Sequence, residues 1–431
     1  MRAYFDHNAT TPVAPEVLTA MLPFLGAECG NASSIHTPGQ RARTAVEEAR
    51  ESVAALIGVQ PAEIVFTSGG TESDNLAIFG AVAAARCQRG PVAKLHVITT
   101  QVEHHAVLHS CQELQRQGVE VTFLPVSADA IVNPDDIRRS LRPETVLLSI
   151  MHANNELGAI QPLSEISRIA AEAGVPFHTD AVQSVGKLPV NVGPVFGNSA
   201  SEVRPAFLSL SAHKIYGPKG VGALFIRSGT PLDPIAFGGH HERDRRPGTE
   251  NVPGIAGFGK AAQLALQRQV SDAARIGALR DRFERELLAR IPDCRVNGGR
   301  AHRVCNTTNL VFRFAEGESL VIALDLQGIA CATGAACSSG AIEPSHVLLA
   351  IGLSREDARS SLRFSFGRAT TDAEIDYALD VIPAVVARLR RLSPIYSDAM
   401  GRSPKVGAQM IAESAAAPSS VNIAHEVAHY D

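Results

Sequence analysis

A chain of 431 residues, 45% of them hydrophobic, is long enough to bury a large core and more than one domain. Its formal charge of −4 argues against a nucleic-acid-binding surface. Seven cysteines without framework spacing, no apolar leader in MRAYFDHNATT and no run of membrane-spanning length lead to the expectation of a cytoplasmic enzyme rather than a secreted, organelle-targeted or membrane protein.

In chain order, apolar strand-like runs at 63–67, 95–100, 145–151, 175–179, 206–211 and 221–227 alternate with helical patterns. That alternation predicts an α/β fold with a largely parallel sheet and helices on both faces. Beyond about Gly254 the pattern changes to a long Ala/Leu/Arg-rich helix up to Ile291, then strands around 309–314 and 362–366, which read as a second, smaller domain. The Ala, Ser and Pro-rich stretch after about Ser393 reads as a loosely attached tail.

The first run ends in EIVFTSGGTESDNLAIFGA, residues 63–81, a strand followed by a Gly-Gly loop and a new helix. Gly69 and Gly70 allow close backbone approach, free helix N–H groups favour an anion, and Thr71 adds a hydroxyl, so the segment reads as a phosphate cup. A plain capping box from Thr71 to Asp74 is the alternative. After the second run, QVEHHAVLHS places His104 and His105 where an imidazole could stack on a ring and move a proton; zinc held by the histidines, His109, His240 and His241 included, is a rival reading. FHTDAVQSVGK, residues 177–187, supplies Asp180, suited either to pair with a pyridinium N–H or to cap a helix, and Gln183, able to donate to a phenolate oxygen. PAFLSLSAHKIYGPKG, residues 205–220, sets Lys214 at a strand end, placed for Schiff-base chemistry with an aldehyde cofactor such as pyridoxal phosphate. In GIACATGAACSSGAIEPSHVLLAIG, Cys337 sits among small residues that give access to a thiolate nucleophile, whereas Cys331 has strand-like, apolar flanks.

Together with MHANNELGAIQP, RPGTENV and SLRFSFGR, and with YFDHNATTPV at the start, these motifs make the chain resemble the cysteine desulfurases of the NifS/IscS type, class V and fold-type I pyridoxal-phosphate enzymes, from about Tyr4 to Ser393. The resemblance implies a large domain over 13–258 with a mostly parallel seven-stranded sheet between helices. It implies a smaller α+β domain from 1–12 and 259–393, and leaves 394–431 as a tail. It makes Lys214 the Schiff-base lysine, Asp180 the pyridinium partner, Gln183 the phenolate contact and His104 the stacked acid/base. Gly70, Thr71, Ser211 and His213 would bind the phosphate, with Thr249 reaching across from a second subunit of a homodimer. Asn155 would touch cofactor or substrate, and Arg363 with Asn31 would receive the amino-acid carboxylate, although Arg363 could instead form a surface ion pair. The implied reaction converts L-cysteine to alanine and leaves a persulfide on Cys337 for an iron–sulfur scaffold or another sulfur acceptor, with Cys337 a transient cluster ligand. A selenocysteine lyase, another class V aminotransferase or lyase, and a non-catalytic sulfur-relay partner are the competing functions. Residues 192–206 form a longer connection than the family carries between Asp180 and Lys214.

Overall fold

Aliphatic and β-branched runs bounded by glycine or polar turns become the strands of two main sheets. The computed structural model describes residues 1–192, 204–333 and 343–392, so Cys337, most of the 192–206 connection and the tail lie outside the described residues. The strands are β1 (Ala3–Tyr4), β2 (Ile64–Thr67), β3 (His96–Thr100), β4 (Glu120–Leu124), β5 (Thr145–Ser149), β6 (Phe177–Asp180), β7 (Phe207–Ser211), β8 (Gly222–Ile226), β9 (Cys294–Val296), β10 (Thr307–Phe312), β11 (Ile329–Ala330) and β12 (Ser361–Ser365). The helices α1 (Pro15–Met21), α2 (Thr37–Ile57), α3 (Gly70–Arg89), α4 (His105–Arg116), α5 (Pro134–Ser140) and α6 (Leu163–Glu172) precede β6. After β8 come α7 (Val252–Arg290), α8 (Gly317–Asp325), α9 (His346–Ala350), α10 (Arg355–Arg359) and α11 (Asp372–Leu392).

The large sheet has seven strands in the order β2-β8-β7-β6-β5-β3-β4. Its strands run parallel except β8, which is antiparallel to both neighbours. Every residue of β3, β5, β7 and β8 is buried, as expected of strands covered on both faces, and the α/β expectation holds. The sequence reading passed over β4, whose five residues include an exposed Glu120 and partly exposed 121–123 that weaken the apolar signal. Because β2, β3, β5, β6 and β7 point the same way, their carboxyl ends share one edge, where open α/β sheets hold ligands.

A second sheet, β12-β10-β9, is antiparallel, and β1 pairs in parallel with β11. Behind the second sheet a phenylalanine core forms, with Phe5 and Phe366 rings 5.0 Å apart and Phe283 5.0 Å from Phe364. The 39-residue α7 joins the two cores: Ile255, Phe258 and Ala261 pack with the large sheet's cluster, while Ile276, Phe283 and Leu287 pack with the phenylalanines. Its approach to α2 needs Gly259, where an added Cβ would lie 2.5 Å from Ala49 Cα.

Candidate active site

At the carboxyl ends of the parallel strands a cavity of about 210 Å³ gathers side chains from five separate turns. The loop after β2 contributes Gly70 and Thr71 at the start of α3. Gly70 has to be glycine, since a Cβ there would come within 2.8 Å of Val182 Cγ2. No side chain caps this helix, so its first N–H groups remain available to an anion, and the capping box from Thr71 to Asp74 does not form. From the turns after β3 and β5 come His104 and Asn155, and from those after β6 and β7 come Gln183, His213 and Lys214, with Asp180 and Ser211 themselves the last residues of β6 and β7.

Burial tunes these groups. Lys214 donates to the carbonyls of Asn8 (2.5 Å) and Ala9 (2.8 Å). Desolvation, reinforced by Arg363, lowers its pKa to about 8, against the opposing pull of Asp180 and Asp6, so a large share of the amine is neutral near pH 8. Desolvation raises Asp180 to about 6, while the Val182 N–H, donated to Oδ1 at 2.9 Å, and Lys214 pull the other way. Asp180 caps no helix, since a turn and not a helix follows β6; its side chain holds that turn and lines the cavity. His104 is lowered to about 4 by burial and by Lys214, and is neutral at pH 7. Its Nδ1 accepts the Ala106 N–H at 3.1 Å, which leaves the proton on Nε2. Three polar atoms of cavity-lining residues, Asp74 Oδ1, Asn155 Oδ1 and Ser211 Oγ, are buried without a hydrogen-bond partner among the described residues. Such atoms at a cavity wall are open to hydrogen bonds from water or from a ligand.

Other predicted residues stand apart from the lining. His105 belongs with His109 and His346, with ring centroids 4.9 and 4.8 Å away, and not with the crevice. Among the described residues no His, Cys, Asp or Glu groups of three or more converge as a metal centre. Asn31 is exposed, its Oδ1 taken by the Ser33 N–H, and Thr249 is exposed in the turn before α7. Arg363 is no surface ion pair. It is 7% exposed on β12, its Nη2 donates to Asp6 Oδ1 at 2.8 Å and its Nη1 to the Asn155 carbonyl at 3.1 Å, so it touches the cavity through Asn155. Cys331 is buried and its thiol is pushed up by burial, so it does not supply a thiolate at neutral pH.

Sequence reasoning missed the N-terminal segment. Asn8 accepts from Lys214 and from Gln183 Nε2 (3.0 Å) at its carbonyl, and its amide reaches Asn155 and Thr307. It also missed Asp74, a cavity-lining carboxyl that burial and the neighbouring Asp180 hold well above the usual range. The one available signal was that DHNATT carries polar residues in a short segment leading out of an apolar start.

The arrangement can hold an anion at the α3 end and a flat polar ring between His104 and Asp180, with a low-pKa amine at its side. Residues 3–378 match the family model described as aminotransferase class-V. The chain is 50% identical over 391 residues to a cysteine desulfurase IscS of Dictyoglomus turgidum, covering 91% of this chain and 96% of that protein. A solved NifS-like protein, 36% identical, superposes with a TM-score of 0.81 over 90% of this chain and all of its own. Another solved protein, SspA in complex with cysteine, is 36% identical with a TM-score of 0.73, covering 84% of this chain and 98% of that one.

Proposed function

This chain belongs to the class V aminotransferase family, and from that premise we propose that it is a pyridoxal-phosphate-dependent cysteine desulfurase, taking sulfur from L-cysteine and releasing alanine. The observation that carries the reading is the convergence of Lys214, Asp180 and the uncapped start of α3 on one cavity. The donor set fits the cofactor: an amine of lowered pKa suits an aldehyde, a buried carboxylate suits a ring nitrogen, and the orphaned Ser211 hydroxyl with the α3 N–H groups suits a phosphate. Gly70, Thr71, Ser211 and His213 would hold the phosphate, Asp180 the ring nitrogen, Gln183 the ring oxygen and His104 the ring face. When bound, pyridoxal phosphate supplies an electron sink for the α-carbon of the amino acid.

The chain's own residues do the rest. Lys214, about half of it neutral near pH 8, would hold the cofactor and afterwards carry the substrate α-proton. Arg363 takes the carboxylate of cysteine as a two-pronged donor, an exchange that displaces or shares Asp6. The Cys337 thiolate attacks the substrate sulfur: an S–S bond forms, the Cβ–S bond breaks with its electron pair left on carbon, and protonation there gives alanine. Cysteine and one thiol thus become alanine and one persulfide. His104 offers an Nε2–H to the reacting groups as a neutral donor.

The persulfide then passes to a sulfur acceptor, an iron–sulfur scaffold being the partner in keeping with the relatives' naming. Thr249, exposed beside an Arg246–Glu72 ion pair that ties its turn to α3, would complete the phosphate site of a second copy, which makes the enzyme a homodimer. We read 13–258 as the cofactor domain and 1–12 with 259–393 as the smaller domain that brings Cys337. No helix among the described residues is long and apolar enough to cross a membrane, and the expected location is the cytoplasm. The test is the visible absorbance of the protein with pyridoxal phosphate before and after L-cysteine, with assay of alanine and of a Cys337 persulfide. Alanine and persulfide in equal amounts support the proposal; a coloured protein inert to cysteine overturns it.

A further inference from the structure

Lys187 lies at the end of the turn that follows β6, and its Nζ turns inward. It donates to Gln183 Oε1 at 2.7 Å and to Asn8 Oδ1 at 3.1 Å, two side chains 5% and 2% exposed. Among the described residues it has no acidic partner. It also lines a water-sized cavity of about 20 Å³ shared with Lys214, on the side away from Asp180. A cation beside an active-site lysine, held only by neutral amides, costs stability through desolvation, and that cost shows as a pKa lowered to about 7 by burial.

The geometry gives this arrangement a use. A carboxamide has two edges of nearly equal shape, one accepting and one donating, and its neighbours decide which way it faces. The Lys187 nitrogen meets the oxygen edge in both its forms: as the ammonium that prevails below about pH 7 it can only donate, and as the neutral amine it still has two N–H groups to give. At Gln183 this directs the NH₂ edge onto the Asn8 carbonyl at 3.0 Å, the same carbonyl that receives Lys214 at 2.5 Å. At Asn8 the oxygen edge takes Lys187 and Asn306 Nδ2 (3.0 Å), and the NH₂ edge is thereby sent to the Asn155 carbonyl (3.0 Å) and Thr307 Oγ1 (2.8 Å). One donor polarises two amides, of which Gln183 lines the cavity and Asn8 holds Lys214 through its carbonyl.

We propose that Lys187 is a positioning residue that fixes the Gln183 amide with its NH₂ edge toward the cofactor and Lys214. The proposal rests on the reading of the cavity given above. It is tested on the full-length protein by titrating pyridoxal phosphate for its dissociation constant, and by following the pH midpoint of the visible absorbance change, in wild type, Lys187→Met, Gln183→Ala and the double variant. Lys187→Met is expected to weaken cofactor binding about tenfold, the value of one well-placed hydrogen bond, and to move the midpoint in the direction that Gln183→Ala moves it. The double variant is expected to be no worse than Gln183→Ala alone, since the lysine acts through that amide. Binding and midpoint unchanged in Lys187→Met, or losses that multiply in the double variant, overturn the role. If Met at this position prevents folding, Lys187→Arg and Lys187→Gln carry the same comparison. Arg, a donor only, keeps the midpoint; Gln, able to face either way, loses it; equal behaviour of the two overturns the role. A wild-type protein that takes up no cofactor, or does not respond to L-cysteine, would instead sink the underlying reading of the cavity.

Discussion

The two walls of the site are built in different ways. On the wall formed by the large sheet, Gly70, His104, Asp180, Ser211 and Lys214 each stand within a few residues of a strand's carboxyl end, so the sheet places their backbones, and only the Lys214 amine also leans on the N-terminal segment. Their charges are muted by burial, with Lys214 at about 8, Asp180 at about 6 and His104 at about 4. On the other wall, Arg363 from β12 reaches Asp6 and Asn155, and Asn8 reaches Thr307, Asn306 and Ser365, all contacts between segments more than a hundred residues apart. That wall keeps an Arg363–Asp6 ion pair. The wall proposed to hold the cofactor is thus set largely by sheet topology, whereas the wall proposed to receive the substrate is built from contacts that need the N-terminal segment docked between the two cores.

Changes to the first wall give the sharpest break in this comparison. Lys214→Ala is expected to lower alanine formation by roughly 10²–10⁴-fold, the range for losing a positioned acid/base group, and to abolish the visible band of the holoenzyme. Retention of either would place the amine elsewhere. The first wall also depends on a buried anchor. Arg50 donates to both oxygens of Glu242 at 2.7 and 2.8 Å, and the Phe66 N–H of β2 donates to the same carboxylate at 2.9 Å. Glu242→Ala removes the two-pronged partner and leaves Arg50 with Glu47 Oε2 (3.0 Å) and the Ile64 carbonyl (2.8 Å), and the expected loss is about 1.5–3 kcal/mol in chemical denaturation of the apoprotein. A loss below about 1 kcal/mol, the scale of a surface pair, would show that the turn is not clamped to β2.

The second wall is expected to respond through substrate alone. Arg363→Lys removes two-pronged recognition, and KM for cysteine is expected to rise about tenfold to a hundredfold while the absorbance of the cofactor-loaded enzyme stays as in wild type. A changed spectrum with an unchanged KM would reverse the assignment of the walls. The smallest effect is in pH. The Lys214 amine is protonated below about pH 8 and only its neutral form attacks an aldehyde, so the rate of pyridoxal phosphate uptake by the apoprotein is expected to climb about tenfold from pH 7 to 9 and then level. A flat profile, or one that falls over this range, would mean that the amine is not desolvated as described. Because the folded-state pKa lies below the unfolded value, the same group makes the apoprotein gain stability as pH rises from about 8 toward the ordinary lysine range.

The contrast between the walls also explains what the sequence disclosed. The strands, the Gly69–Gly70 helix start and the residues at strand ends were legible, because each is announced by a local apolar run that stops at a polar cluster. Neither the reversal of β8 nor its insertion between β2 and β7 has a local signature. The orientation of His105 was hidden as well: adjacent histidines at a helix start look equivalent until His346, far along the chain, takes one of them. Asp6, Asn8 and Lys187 escaped for a related reason, since each meets a partner from a segment far along the chain that no spacing rule connects to it. Lys187 in particular reads as a solvated end of SVGK until the fold turns its Nζ onto Gln183.

Lys214, which lines the cavity with Asp180, is the residue proposed to carry the cofactor, although Lys187 lies within the same hydrogen-bond network. Borohydride reduction of the cofactor-loaded protein followed by peptide mass mapping tests it most directly. A reduced pyridoxyl adduct is expected on the peptide at Lys214 and none at Lys187 or Lys219. An adduct at Lys187, or no adduct on any lysine of a protein that has taken up the cofactor, would contradict it.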